Sequence, residues 1–241
     1  MHRSWTYASA TDQGPRTHQA DATGAHYYRP TGRSAWCVAD GIGDDFDPAD
    51  AAQRSAPIAA HVGTIRGAAA GILAARADLH HFYEGAPRGQ SGDCVIVTAC
   101  EMSDRVGGGF DVAWVGDCRA YVVQNGALVQ VTEDHTEGQE MRGWKDPYWA
   151  TIADGYDHIV TRTVAGDQPV ANARVTGSVD LLMLCSDGVS KALDADALTP
   201  LLCGFFPGSL RKRARAVAAE ARKAGSRDNI AVTLAAPTRR Y

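Results

Sequence analysis

Aspartate recurs in this chain where apolar runs end. Val38-Ala39-Asp40-Gly41, Val115-Gly116-Asp117 and Cys185-Ser186-Asp187-Gly188 each close such a run, and Arg227-Asp228-Asn229 immediately precedes the last one. A single Asp-Gly pair marks only a turn, because Asp and Gly are the default residues for leaving a strand. Four such sites, each fused to a strand of the central sheets, would instead gather carboxylates at one sheet edge, where like charges repel strongly unless a cation neutralises them. Oxygen-only ligands suit hard divalent ions, Mn²⁺ or Mg²⁺, and argue against zinc, which favours His or Cys. Several carboxylates together allow two ions about 3.5–4 Å apart that share an aspartate and a water. The usual target of such a water is a phosphorus centre, whose oxygens a guanidinium grips through its fork of donors. Arg16 is the candidate for that guanidinium.

Other chemistries are absent from the sequence. There is no G-x-x-x-x-G-K-[ST], no H-E-x-x-H and no G-x-S-x-G. None of the six cysteines has an arginine six positions later, so covalent catalysis by cysteine has little support.

The elements that must position the aspartates can be read from the apolar pattern. Strands are expected near Ala35–Ala39, Cys94–Cys100, Phe110–Val115, Ala120–Val123, Leu181–Cys185 and Ile230–Leu234. Asn125-Gly126 between two apolar runs is a hairpin signal. Asp47-Pro48 reads as an N-cap with proline at the first helical position, opening an Ala-rich helical region that extends to about Glu84 and that Pro57 should kink or split. Further helices are expected over about Ala195–Cys203 and over Ser209–Lys223, the latter with Leu210, Ala214, Val217, Ala218 and Ala221 on one face. Strands in a consecutive run with helices in pairs before and after fit packed sheets flanked by helices better than an alternating parallel fold.

The 241 residues are 45% hydrophobic and 22% charged, with 24 basic against 28 acidic residues and a formal charge of −4. This is an ordinary globular composition, long enough for one domain over residues 1–241 to bury a sizeable core. The mildly acidic balance disfavours nucleic acid and membrane surfaces as partners. No window approaches a membrane span, and the N-terminus lacks the apolar region of a signal peptide, so a cytoplasmic location is expected. The cysteines Cys37, Cys94, Cys100, Cys118, Cys185 and Cys203 lie mostly in apolar runs without any C-x-x-C, which suits buried reduced thiols.

The ordered set of motifs then resembles a known family. Gly14-x-Arg16 with Asp21 five residues after the Arg, V-A-D-G-I-G-D from Val38, W-V-G-D-C-R-A-Y from Trp114, V-T-E-D-H-T from Val131, L-L-M-L-C-S-D-G-V from Leu181 and R-D-N-I-A-V-T from Arg227 are similar to the metal-dependent Ser/Thr protein phosphatases of the PPM, or type 2C, family in its bacterial form. The resemblance runs from about Ala8 to Leu234. It implies an α+β fold, a four-layer α-β-β-α sandwich of two mainly antiparallel sheets flanked by helix pairs. It also implies hydrolysis of phosphoserine and phosphothreonine on proteins by a water shared between two Mn²⁺ or Mg²⁺ ions, with a weaker third ion. Asp40 would bridge the two ions and Gly41 would offer its carbonyl to one, while Asp187 and Asp228 would complete the shell of the other. Asp117 would help hold the third ion together with Asp187. Arg16 would bind the substrate phosphate, Asp21 would accept hydrogen bonds from waters on the ions, and Asn229 would support the Asp228 loop. Opposing Ser/Thr kinases are the implied counterparts, and a monomer is expected.

The chain also departs from the family. Bacterial members usually read D-G-M-G-G-H where Asp40 to Asp45 read D-G-I-G-D-D, so Asp44 and Asp45 add negative charge. Ala20 stands where Glu or Gln is common, with the loss of one hydrogen bond around the ions. Ile42 stands where some members carry a His proton donor, which leaves the general acid unassigned. His135 in the D-H-T turn reads as a loop-ordering residue and His18 as a weaker proton-donor candidate. His80 and His81 read as a solvated helix end, and Arg211, Lys212, Arg213 and Arg215 as a solvated helix face. The segment Thr136–Ile159, with Trp144, Lys145, Pro147, Tyr148 and Trp149, falls where the family carries a flap. Its aromatics suit docking a phosphopeptide and pinning the flap equally well. Two rival functions remain: a pseudophosphatase that uses Asp44, Asp45 and the flap for binding, and a phosphatase of small phosphorylated metabolites.

Overall fold

The computed structural model describes residues 4–43, 46–87, 90–103 and 108–238. Asp44 and Asp45, which bear on the acidic loop, lie outside the described residues. One sheet has the order β1 (Trp5–Asp12), β10 (Ile230–Pro237), β9 (Leu181–Cys185), β6 (Arg119–Gln124) and β7 (Ala127–Gln130). The other runs β2 (Asp21–Tyr28), β3 (Arg33–Gly41), β4 (Cys94–Glu101), β5 (Phe110–Val115) and β8 (Ala171–Val175). Every neighbouring pair is antiparallel.

Between the sheets lies an apolar layer that includes Trp36, Val38, Val97, Phe110, Val112, Leu182 and Leu184. The outer face of the β3 sheet packs on α1 (Phe46–Arg66) and α2 (Ala68–Phe82) through Cys37, Ile96, Ile72 and Leu79. The outer face of the β9 sheet packs on α5 (Asp187–Ser190), α6 (Ala195–Leu202) and α7 (Leu210–Lys223) through Met183, Leu198, Val217 and Leu234. The result is the expected α-β-β-α sandwich. The central strands are buried on both faces, which is why β4 and β9 read as unbroken apolar runs rather than alternating ones.

The six expected strands are all present, and four more appear: β1, β2, β7 and β8. The Asn125-Gly126 turn joins β6 to β7, with φ of 52° and 78° at its two central residues, the positive pair that a two-residue hairpin turn needs. Two expectations about α1 change. The helix begins at Phe46, so Asp47 lies in its first turn rather than before it, and Pro57 lies inside it without ending it. The break falls at Gly67, with φ 98°. Ala51, Ala52, Ala56, Ala59 and Ala60 are fully buried along α1, and that packing outweighs the local cost of about 3 kcal/mol for an interior proline.

Thr136–Ile159 forms a folded flap of α3 (Glu137–Arg142), α4 (Pro147–Ile152) and a 3₁₀ turn at Ala153–Tyr156. Its ends are closed by a bridge between Thr136 and Val160. Arg142 ties α3 to Asp157, at 2.7 and 2.6 Å, and to Asp154, at 2.5 Å. Trp144 and Tyr148 each meet Trp149 edge-on, at 5.0 and 5.5 Å between ring centroids. Arg213 also differs from expectation: it turns over the Phe206 ring and donates to the Gly204 carbonyl rather than facing solvent with its neighbours. Among the described residues, no helix is long and apolar enough to cross a membrane. All six cysteines are free thiols, and all but Cys203 are buried.

Candidate metal centre

Strand pairing delivers the aspartates to one edge. Asp21 opens β2 and Asp40 is the penultimate residue of β3, and the antiparallel register sets them directly opposite each other. In the other sheet, the end of β9 lies beside the start of β10 and the start of β6. The residues just beyond those ends are Asp187, Asp228 and Asp117. Asp117 sits in the link that carries the chain from β5 in one sheet to β6 in the other. Gly116 makes that link possible: its φ is 91°, and a Cβ there would stand 2.0 Å from Val95 Cγ1. At Gly188 a Cβ would stand 1.9 Å from the Asn229 carbonyl oxygen, so glycine lets the Asp187 and Asp228 loops touch.

The five carboxylates act on one another. Burial, reinforced by Asp187 and Asp228, pushes Asp21 up to about 7 against hydrogen bonds from Ser186 and Asp40. Asp40 is pushed well above the ordinary carboxylate range, first by desolvation and then by Asp21, Asp187 and Asp117. Asp117 rises to about 6, again chiefly through burial and then through Asp187, with Lys191 opposing. Two cations answer this charge. Arg16 donates to Asp228 Oδ2 at 2.7 Å, and Lys191 Nζ donates to Asp117 Oδ2 at 2.9 Å and to Asp187 Oδ2 at 2.6 Å.

Supporting residues fix the loops. Ser186 Oγ donates to Asp21 Oδ2 at 2.7 Å and accepts from the Ala231 N–H at 2.9 Å, joining the two sheets. Asn229 accepts from the Ala20 N–H at 2.7 Å and donates to the Gln13 carbonyl at 2.8 Å, so it pins the Arg16 loop to the Asp228 loop. Arg222 donates to the Asp228 carbonyl at 2.9 Å and to Asp12 Oδ1 at 3.2 Å. The Gly41 N–H is held by the Ala20 carbonyl at 3.1 Å, at the end of β3. His135 Nδ1 accepts from the Gly116 N–H at 3.1 Å, the Gly116 carbonyl accepts from the His135 N–H at 3.0 Å, and its ring stacks on Trp114. Burial and then Arg162 lower His135 to about 4, so its imidazole is neutral and holds the Asp117 turn, as a loop-ordering residue should. Ile42 is exposed and carries no proton donor, and His18 lies exposed in the loop between β1 and β2.

All eight residues named from the sequence thus sit at one edge. A cleft of about 530 Å³ opens there, lined by Arg16, Asp187, Lys191, Arg227 and Asp228 among others. Three contributors were missed: Ser186, Arg222 and Lys191. Lys191 had a legible signal, since it follows Asp187 by four residues and therefore shares its helix face.

The donor set fits hard divalent cations. Asp21 Oδ1 is buried without any hydrogen-bond partner, and the charges acting on buried Asp40 are those of Asp21, Asp187 and Asp117. Among the described residues no three carboxylate, imidazole or thiolate groups close into an ion cage by themselves. Arg16 and Lys191 hold one oxygen each of Asp228, Asp117 and Asp187. The residues that would hold the ions are Asp40, the Gly41 carbonyl, Asp187 and Asp228.

No protein-family model matches the chain. In sequence it is similar to mouse protein phosphatase 1F, 26% identical over an alignment 163 residues long that covers 60% of this chain and 34% of that protein. It is also similar to a putative protein phosphatase of Mycoplasma pneumoniae, 27% identical over an alignment 173 residues long that covers 68% of this chain and 64% of that one. The match therefore spans about a third of the first relative's length and just under two thirds of the second's. In structure it is similar to the Mycobacterium tuberculosis serine/threonine phosphatase PstP/Ppp, with a TM-score of 0.81 at 19% identity over 98% of this chain and 99% of that one. The catalytic domain of PstP in complex with two manganese ions gives 0.78 at 20% identity, over 98% and 99% of the two chains. The PPM Ser-Thr phosphatase MsPP from Mycobacterium smegmatis, in complex with cacodylate, gives 0.77 at 21% identity, over 97% and 98%. The fold is that of the PPM-type phosphatases, and the resemblance carried by the motifs is borne out in both sequence and structure.

Proposed function

We propose that this chain is a metal-dependent phosphatase of the PPM family that hydrolyses phosphoserine and phosphothreonine monoesters on proteins. The observation that carries this reading is the convergence of five aspartates from two sheets beside a cleft lined by Arg16, Lys191 and Arg227. Asp40, the Gly41 carbonyl, Asp187 and Asp228 would hold two Mn²⁺ or Mg²⁺ ions. When bound, such ions supply Lewis-acid charge and a water acidic enough to serve as nucleophile near neutral pH.

The chain's own residues do the rest. Arg16 reaches the mouth of the cleft and presents a planar fork of donors suited to a phosphate dianion; its pairing with Asp228 holds it at that edge until the anion arrives. Asp21, held by Ser186, is placed to accept a proton or a hydrogen bond within the cluster. Asn229 keeps the Arg16 and Asp228 loops in register, and Arg119, bidentate on Asp134 at 2.9 and 2.7 Å, braces the start of β6 behind Asp117. A phosphoprotein substrate, a cytoplasmic location and an opposing Ser/Thr kinase complete the proposal; the substrate class rests on the names of the similar proteins, the kinase on analogy with the family, and the location on the lack of a signal-peptide apolar region in the given sequence.

The test is phosphate release from a phosphothreonine peptide with Mn²⁺, with excess chelator, and with Asp187→Asn in parallel. Turnover that requires both the ion and Asp187 supports the reading. A protein that binds Mn²⁺ by calorimetry yet releases no phosphate from peptides sinks it.

A further inference from the structure

Lys191 occupies an unexpected place. Asp187 is the first residue of α5 and Lys191 follows its last residue, one helical turn away on the same face. The backbone locks this spacing, because the Lys191 N–H donates to the Asp187 carbonyl at 2.8 Å. From there the side chain turns into the acidic cluster and sets its ammonium between two carboxylates on different strand ends, Asp117 Oδ2 at 2.9 Å and Asp187 Oδ2 at 2.6 Å. These are the two residues that the family resemblance assigns to a third, weaker ion. A divalent ion bridging the same oxygens would stand about 2.1 Å from each, in the volume the ammonium fills. The two cannot be present together.

We infer that Lys191 is a built-in cation that replaces a third divalent ion between Asp117 and Asp187, so that the centre works with two ions. The inference rests on the two-ion reading above and specifies it. A tethered ammonium differs from an ion in three ways. It carries one charge instead of two, it cannot be lost to a chelator or diluted out, and it brings no exchangeable water to the cluster. It also leaves one N–H for the cleft that Lys191 lines, where a phosphate oxygen or a substrate carbonyl can accept it. Lys191 is in these terms a positioning residue. It keeps Asp117 and Asp187 together through one oxygen of each and leaves the other oxygen of Asp187, which would help hold an ion with Asp228, free of Lys191.

The experiment counts ions. Mn²⁺ is titrated calorimetrically into the full chain, the Lys191→Asp variant and the Lys191→Met variant, with circular dichroism confirming that each is folded. The wild type is expected to bind two ions. Lys191→Asp is expected to bind three, the third at least tenfold more weakly than the others, and Lys191→Met to show the same third site more weakly still. A third ion bound by the wild type overturns the inference, and that result stands even if neither variant folds. Folded variants that both stay at two ions also overturn it. A wild type that binds no Mn²⁺ at all overturns the two-ion reading itself, an outcome distinct from a count of three.

Discussion

The two sheets bring their acids to the same edge under different terms. From the β3 sheet come Asp21 and Asp40, cross-strand partners that carry no ion pair to Lys or Arg among the described residues and are pushed toward protonation, first by burial and then by neighbouring carboxylates, Asp187 and Asp228 for Asp21 and Asp21, Asp187 and Asp117 for Asp40. From the β9 sheet and its incoming link come Asp117, Asp187 and Asp228, each of which has an oxygen on a cation of the chain itself. Like charges set directly opposite in an antiparallel pair are destabilising, and this chain places two there. Five carboxylates against two cations leave a formal excess of three negative charges, concentrated on the side that has no arginine or lysine. The asymmetry teaches where outside charge is needed. The β9 side is partly neutralised by the chain's own cations, and the β3 side is the one that the proposed divalent ions would satisfy.

The sharpest way to break this comparison is Asp40→Asn. The substitution keeps the shape and removes one charge from the unneutralised side. Phosphate release should fall by about 1,000-fold or more, as expected when a group that acts only with its partners is lost. In excess chelator the same variant should be more stable than the wild type, with a Tm higher by about 2–4 °C for each kcal/mol of repulsion relieved. A variant that loses both activity and metal-free stability would show that Asp40 is a structural residue and that the two sides do not differ as described.

The strands that carry these acids were unequally legible. β3, β4, β5, β6, β9 and β10 are apolar along most of their length because they lie between a helix layer and the opposite sheet, and a buried strand writes itself as a hydrophobic run. β1 and β2 do not. Thr6, Ser9 and Thr11 on β1 and Thr23, Gly24 and His26 on β2 break the pattern, since both strands stand at sheet edges. Gly24 is there for the helix, because a Cβ would come within 2.2 Å of the Ala56 carbonyl oxygen on α1, a contact no local pattern displays. The same limit hid the break at Gly67 behind Pro57. At the site, the aspartates were legible because each sits at a strand end. For Lys191 the four-residue spacing from Asp187 was legible, but its second partner, Asp117 on another strand end, is set only by the fold.

The next two effects lie where the sheets meet. Ser186 is the hydroxyl that joins the two sides, serving Asp21 in one sheet and the Ala231 N–H in the other. Ser186→Ala leaves both without that partner. It should cost about 1–3 kcal/mol of stability by chemical denaturation and weaken Mn²⁺ binding by about 10–100-fold. An unchanged Mn²⁺ affinity would mean that the β3 side is positioned without help from the β9 side. His135 acts at the link between the sheets and reports through pH. Its folded value of about 4 lies below the ordinary 6.5, so the unfolded chain takes up the proton first. Its contribution is complete above about pH 6.5 and is lost as pH falls toward 4. Asp134, Glu133 and Glu140 moderate the depression and Arg162 deepens it. The wild type should therefore lose about 2–3 kcal/mol more than His135→Gln between pH 7 and pH 4, measured by urea unfolding at each pH. Parallel pH profiles for the two proteins would show that the imidazole is not what holds the Asp117 turn.

The smallest effect belongs to the flap, which borders the β9 side through Thr136 and the His135 loop. Arg142 joins α3 to Asp154 and Asp157 at the surface, where Asp154 is 94% exposed and Arg142 and Asp157 are partly exposed, and such pairs contribute only about 0–1 kcal/mol each. Arg142→Ala should therefore leave global stability almost unchanged. Its effect should be local: the helical carbonyls and amides of residues 137–156 lose a crosslink, while the bridge between Thr136 and Val160 still closes the base of the flap. Hydrogen exchange is the measurement that separates the two levels. Amides of α3 and α4 should exchange several-fold faster in the variant, and those of β6 and β9 should be unaffected, because the strands exchange through openings that do not involve the flap. Faster exchange in β6 and β9 as well would mean that the flap and the Asp117–Asp187 side open as one unit, and the contrast between a rigid β9 side and an independent flap would not survive.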